Sequence, residues 1–148
     1  MDLKKIKEAA KEFRAGIENI DTSLLPHAMR SFPNGSCGDT SLLLGTYFIE
    51  KGFGQFSYIC RRFDSDSFNF NSHAWIQKEN LFVDITADQF PEIKEKILVA
   101  HNSKWHLKFT EPVLDGLADY RIYDIRTKSI LDSVYREIVK NIKIANKS

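Results

Sequence analysis

One cysteine, one histidine and one aspartate in this 148-residue chain have the types and order for acyl chemistry. Cys37 stands in the stretch FPNGSCGDTSLLLGTYF, residues 32–48, between a glycine-containing break and an apolar run. His73 opens the segment His-Ala-Trp-Ile-Gln, and Asp84 lies within Leu-Phe-Val-Asp-Ile-Thr, eleven residues further on. A thiol works as a nucleophile when a base takes its proton and returns it to the leaving group. The base in turn needs a group that fixes its tautomer and stabilises its charge. A carboxylate in the middle of an apolar strand is costly unless paired, and orienting a histidine is one such pairing.

The elements that must position these groups follow from periodicity. Ser36 is a good N-cap residue, and Asp39, three positions on, completes a capping pattern. Leu42, Leu43, Tyr47 and Phe48 give the following helix its apolar face, and Gly52 is a plausible stop. Cys37 therefore falls in a first helical turn, where unpaired backbone N–H groups and a partial positive charge favour a thiolate and can hold an oxyanion. Gly35 and Gly38 leave room for a substrate carbonyl. His73–Gln77 and Leu81–Thr86 alternate as two strands around a turn near Lys78-Glu79-Asn80. A turn at Lys78-Glu79 sets His73 opposite Asp84. A turn at Glu79-Asn80 sets Trp75 opposite Asp84 and makes His73 its diagonal neighbour. Both registers put His73 and Asp84 on one face; a three-residue turn separates them.

A cysteine at a helix start, a histidine on a strand and an aspartate on the next strand resemble the transglutaminase-like branch of the papain-like superfamily, across residues 33–88. The resemblance implies a Cys37–His73–Asp84 triad on an α+β core and chemistry on an amide: peptide hydrolysis, deamidation of glutamine, transamidation or acetyl transfer. Arylamine N-acetyltransferases share the order but carry further domains that this chain has no room for. The glutamines are Gln55, Gln77 and Gln89, all after Cys37, so the upstream glutamine of papain's oxyanion hole has no counterpart. The oxyanion then falls to the Cys37 N–H, with Asn34, Gly35 and Ser36 as neighbours. Trp75 is a further candidate, because animal transglutaminases use a tryptophan there; its alternative place is the core.

Other residues compete for these roles. Asp88 is the rival third member, four residues beyond Asp84. Thr86 and Gln89 either line the cleft or serve a turn. Cys60 suits the core of its strand, and His27, His101 and His106 have no spacing that suggests a site. Cys37, His73 and Asp84 could ligate a metal by type, but no fourth ligand has recognisable spacing. The expected reaction needs neither metal nor organic cofactor.

The rest of the chain frames this centre as a single domain, 1–148. Leu3, Ile6, Ala10, Phe13, Ile17 and Ile20 predict an amphipathic first helix, and Leu131, Val134, Tyr135, Ile138 and Ile142 a closing one. A short helix is expected over Ser23–Met29. Strands are expected at Phe56–Cys60, at Trp105–Phe109 and, more weakly, at Tyr120–Arg126, with a polar and aromatic loop over 61–72 bordering the cleft through Phe63, Phe68 and Phe70. Helices at both ends around central strands make an α+β fold, with the Cys-bearing helix packed on an antiparallel sheet. Lys+Arg 21 against Asp+Glu 20 argues against nucleic acid as a partner. Two cysteines make no disulfide framework, and no apolar run reaches membrane-spanning length. The expected setting is cytoplasmic, the expected partner a protein or peptide substrate or a small amide. Two alternatives stay open: acyl transfer to an amine, and an inactive module that binds a protein.

Overall fold

The computed structural model describes residues 1–63 and 72–147. Of the loop expected over 61–72, Arg61, Arg62 and Ser72 belong instead to strands, and 64–71, with Phe68 and Phe70, lie outside that range. The described chain is α+β, with three helices and a five-stranded antiparallel sheet. In chain order the elements are α1 (Leu3–Glu18), α2 (Cys37–Glu50), β1 (Ser57–Arg62), β2 (Ser72–Lys78), β3 (Leu81–Asp84), β4 (Leu98–His101), β5 (Glu111–Leu117) and α3 (Ile125–Lys147). The strands lie in the order β4-β3-β2-β1-β5, and each neighbouring pair is antiparallel.

The sheet's pleat divides the interior in two. Tyr58, Ala74, Ile76, Leu81 and Val83 face the helices and join the main core with Ile6, Phe13, Leu43, Phe48 and Ile138. Trp75 and Phe82, on the alternate positions, face the other way and pack with Phe109, Phe90 and Trp105 in a second cluster. The period-two alternation of β2 and β3 thus feeds both cores. Helix α2 is buried continuously from Thr40 to Phe48. Gly45 lets its backbone approach the sheet edge: a Cβ there would lie 2.0 Å from the Ala118 carbonyl oxygen. Helix α1 begins at Asp2, whose carboxylate accepts from the N–H groups of Lys4 and Lys5.

Four expectations are corrected. The helix expected over Ser23–Met29 is two short 3-10 turns, Thr22–Leu24 and His27–Met29, divided at Leu25-Pro26 because proline disfavours helix in the residue before it. The strand expected at Trp105–Phe109 is a 3-10 turn, His106–Lys108. Trp105 and Phe109 fit a four-residue step as well as alternation; both join the second cluster while Leu107 stays exposed. Tyr120–Arg126 is a 3-10 turn, Tyr120–Ile122, followed by the start of α3, where Asp124 accepts from the Thr127 N–H. Strands β4 and β5 were not expected. Strand β5 carries Pro112 and Gly116 on an edge of the sheet, where burial does not alternate and a proline is tolerated.

Arg14 fastens the chain after β3. Its guanidinium is buried, donates to the carbonyls of Ile85 (2.8 Å) and Lys96 (3.1 Å), and grips Asp88 with two bonds of 2.6 and 2.8 Å. It also lies over the Phe32 ring, 5.1 Å from its centroid, just ahead of Cys37. One side chain of α1 therefore ties the post-β3 loop to the approach to α2. No helix among the described residues is long and apolar enough to cross a membrane.

Asp88→Ala removes both of its bonds to Arg14 and leaves Arg14 its longer contact with Glu18 at 3.4 Å, so it is expected to lower stability by about 2 kcal/mol. Urea unfolding measures this; a midpoint unchanged from wild type would show that the Arg14 contact contributes nothing.

Candidate active site

Strand pairing settles the register of the hairpin. Ile76 pairs with Val83, Gln77 with Phe82 and Lys78 with Leu81, so Glu79-Asn80 is the turn and Glu79 takes a left-handed φ of 53°. Of the two expected registers this is the second, in which His73 is the diagonal neighbour of Asp84. The diagonal is short enough for contact: His73 Nε2 lies 2.6 Å from Asp84 Oδ2. Both side chains face the second cluster, with His73 0% and Asp84 2% exposed.

A carboxylate so enclosed must take its hydrogen bonds from protein. Asp84 has four donors. On Oδ2 it receives His73 Nε2 at 2.6 Å and His106 Nε2 at 2.7 Å. On Oδ1 it receives the Thr86 N–H at 2.9 Å and the Thr86 hydroxyl at 3.3 Å. Burial pushes the Asp84 carboxyl up, but the charge of His73 and the hydrogen bonds from His106 and His73 outweigh it and hold the group well below the usual carboxylate range. His106 is itself 1% exposed, and its Nδ1 pairs with the Ser103 hydroxyl at 2.6 Å. An ionised carboxylate can only accept, so both imidazoles present Nε2–H to Asp84.

That tautomer leaves His73 Nδ1 for Cys37. Burial disfavours the His73 charge; the Asp84 carboxylate, through its charge and its hydrogen bond, and then a side-chain hydrogen bond with Cys37, outweigh burial and raise the imidazole to about 9. Gln89 closes the other side. Its Nε2 lies 3.5 Å from His73 Nδ1 and donates to the Thr86 carbonyl, while its Oε1 accepts from the Gly35 N–H at 3.3 Å. Gln89 thus links the loop before Cys37 to the histidine. Phe90 and Trp105 stand edge-on to the His73 ring, with centroids 5.0 and 5.6 Å away, and fix its plane.

Cys37 is the first residue of α2. Ser36 holds the N-cap position, but its hydroxyl turns back to the Pro33 carbonyl (3.0 Å) and does not cap, and Asp39 closes no capping box. The expected capping pattern is therefore absent, because the tight turn before the helix claims the serine. The first backbone bond at this end runs from Thr40 N–H to the Ser36 carbonyl at 2.9 Å, which leaves the N–H groups of Cys37 and Gly38 free of helix partners. Asp39 is half-buried, and burial pushes its carboxyl up.

The structure sets His73 against Asp84, and Cys37 is near enough to help raise the imidazole. Asp88 is spent on Arg14 and does not reach His73. Trp75 lies beside the imidazole, yet it is buried in the second cluster and its Nε1 donates to Gln77 Oε1 at 3.1 Å. It faces the core, not a substrate. Asn34 is exposed on the loop, Gly35 has its N–H on Gln89, and Ser36 has its hydroxyl on Pro33. Cys60 is half-buried against the main core; burial, then the charge of Cys37, push its thiol up. His106 and Ser103 were not expected. The available signal was a polar pair, Ser103 and His106, set among the aromatic Trp105 and Phe109.

Ligand atoms of His73, Asp84 and His106 all lie within 4.8 Å of one another, a donor set that could hold a metal. The separations of 2.6 and 2.7 Å are hydrogen-bond lengths. Neighbouring ligands of a tetrahedral zinc stand about 3.3 Å apart, as bonds near ~2.0 Å require. The cluster as built is a hydrogen-bond network. No protein-family model, no curated protein and no solved structure matches the chain.

The raised His73 fixes the sign of a pH effect. Its stabilising contribution is complete below its ordinary value of 6.5 and is lost as pH climbs through about 9. The unfolding temperature is expected to fall between those limits in wild type and to fall less in His73→Gln. Parallel profiles for the two proteins, measured by calorimetry, would contradict the pairing.

Proposed function

We propose that this chain is a thiol-dependent amide hydrolase, a cysteine peptidase or deamidase on a transglutaminase-like, papain-like core. The observation that carries the proposal is the orientation of His73: its Nε2 is fixed by Asp84, and its opposite nitrogen is left to Cys37 at the open first turn of α2.

The chemistry follows from those positions. His73 Nδ1 takes the Cys37 proton, and Asp84 stabilises the imidazolium that forms. The thiolate attacks the amide carbonyl, forming the S–C bond while the carbonyl electrons move onto oxygen. The N–H groups of Cys37 and Gly38, free of helix partners, are the donors offered to that charge. The C–N bond breaks, the amine leaves with the proton from His73, and a thioester remains on Cys37. His73 then takes a proton from water, which attacks the thioester and releases the acid. An amine in place of water gives acyl transfer by the same first half.

An activated ester reports the first half without knowledge of the natural substrate. With p-nitrophenyl acetate, Cys37 is expected to gain an acetyl group, detected by intact mass and peptide mapping. Cys37→Ala should gain none there, and His73→Ala should acylate at least about 100-fold more slowly. A wild-type protein that is not acylated, or a His73→Ala protein that acylates at the same rate, would overturn the proposal in favour of a binding module.

A further inference from the structure

Tyr58 lies on β1, on the face of the sheet that meets α2. Its side chain reaches the first turn of that helix: a Cβ built on Gly38 would stand 3.3 Å from the Tyr58 hydroxyl. Glycine at 38 therefore leaves the hydroxyl its place beside Cys37. The Tyr58 ring is buried against the main core, so the hydroxyl arrives on a rigid support.

The hydroxyl is a donor in need of a strong acceptor. Burial, then the charges of Cys60 and Cys37 and a hydrogen bond with Cys60, hold its ionisation above the ordinary tyrosine range. It stays O–H at any pH where the protein would work. Among the described residues its hydrogen bond goes to the Cys60 sulfur, and sulfur is a weak acceptor. The N–H groups of Cys37 and Gly38, in the same helical turn as that contact, have no helix partner. A neutral hydroxyl with a weak bond to give up, at the helical turn whose Cys37 and Gly38 N–H groups lack helix partners, has the composition of an oxyanion hole.

We infer that the Tyr58 hydroxyl is a catalytic residue: it donates to the oxyanion that forms when Cys37 attacks a carbonyl, as the side-chain partner of the Cys37 and Gly38 N–H groups. The inference rests on Cys37 acting as the acyl-accepting nucleophile. In the acylation step the Cys37 Sγ–C bond forms, the proton passes to His73, and the carbonyl electron pair moves to oxygen. Tyr58 meets the charge there. The pair then returns, the leaving group departs, and the Tyr58 hydroxyl turns back to Cys60.

Two reagents separate this role from a structural one. Acetylation by p-nitrophenyl acetate passes through an oxyanion. Alkylation by iodoacetamide displaces iodide at a saturated carbon and does not. Tyr58→Phe keeps the ring and removes the hydroxyl; its unfolding temperature checks that the fold is kept. Acetylation of Cys37 is expected to slow by about 100-fold, with alkylation of Cys37 within about twofold of wild type, both rates read by peptide mapping. Unchanged acetylation would overturn the role of Tyr58 while leaving the Cys37 nucleophile standing. An equal loss of both rates would also overturn it, because the hydroxyl would then act on the thiolate or its surroundings. Failure of wild type to acetylate would instead remove the acyl-transfer premise itself.

Discussion

A carboxylate shut away from water is the constraint around which the site is organised. Asp84 sits at the end of β3 with 2% of its surface exposed, so each of its lone pairs must be met by protein. His73 and His106 converge on one oxygen and Thr86 on the other. Each bond that lowers the cost of burying Asp84 also orients a neighbour. The His73 ring is turned so that one nitrogen is committed and the other is left to Cys37. The Thr86 bonds bend the chain out of β3 toward Gln89, and Gln89 in turn reaches both His73 and Gly35. Satisfaction of one buried charge thus builds the base, its tautomer and part of the loop before the nucleophile.

The two cores have separate tasks. The main core, between helices and sheet, carries α2 and so fixes where its first turn ends. The second cluster, on the opposite face, surrounds His73 with Phe90, Trp105, His106 and Phe109. The nucleophile and its base belong to different sides of one sheet, and they meet at its end, where β2 begins. Arg14 crosses between the sides, binding the post-β3 segment and capping the Phe32 ring. A guanidinium, with donors in a planar fork, can hold two carbonyls and a carboxylate at once, which an ammonium in its place could not do with the same geometry.

Much of this was legible in the chain. The helix start at Cys37 follows from Ser36, the glycines and the apolar run, even though the serine bonds backward instead of capping. Strand parity put His73 and Asp84 on one face for either two-residue turn and on opposite faces for a three-residue one, and the pairing of Lys78 with Leu81 around Glu79-Asn80 decides it. His106 was not legible. It comes from a segment whose alternating apolar residues resemble a strand, and it reaches Asp84 through a 3-10 turn that no local pattern announces. Asp88 stayed a rival in the sequence for a related reason. Its partner, Arg14, lies 74 residues away on α1, and a buried pair at that separation leaves no trace in spacing. Strand β5 was missed because an edge strand with one bonded neighbour needs neither alternation nor freedom from proline.

The central claim is that His73 and Cys37 act as one unit. The rate of iodoacetamide alkylation at Cys37 against pH, in wild type and in His73→Ala with peptide mapping to exclude Cys60, tests it most directly. The account predicts that wild type reacts faster than His73→Ala at pH 6–7, and that the advantage closes as pH rises beyond about 9, where His73 loses its proton. Superimposable profiles with and without the histidine would contradict the account, whatever the distance between the two side chains.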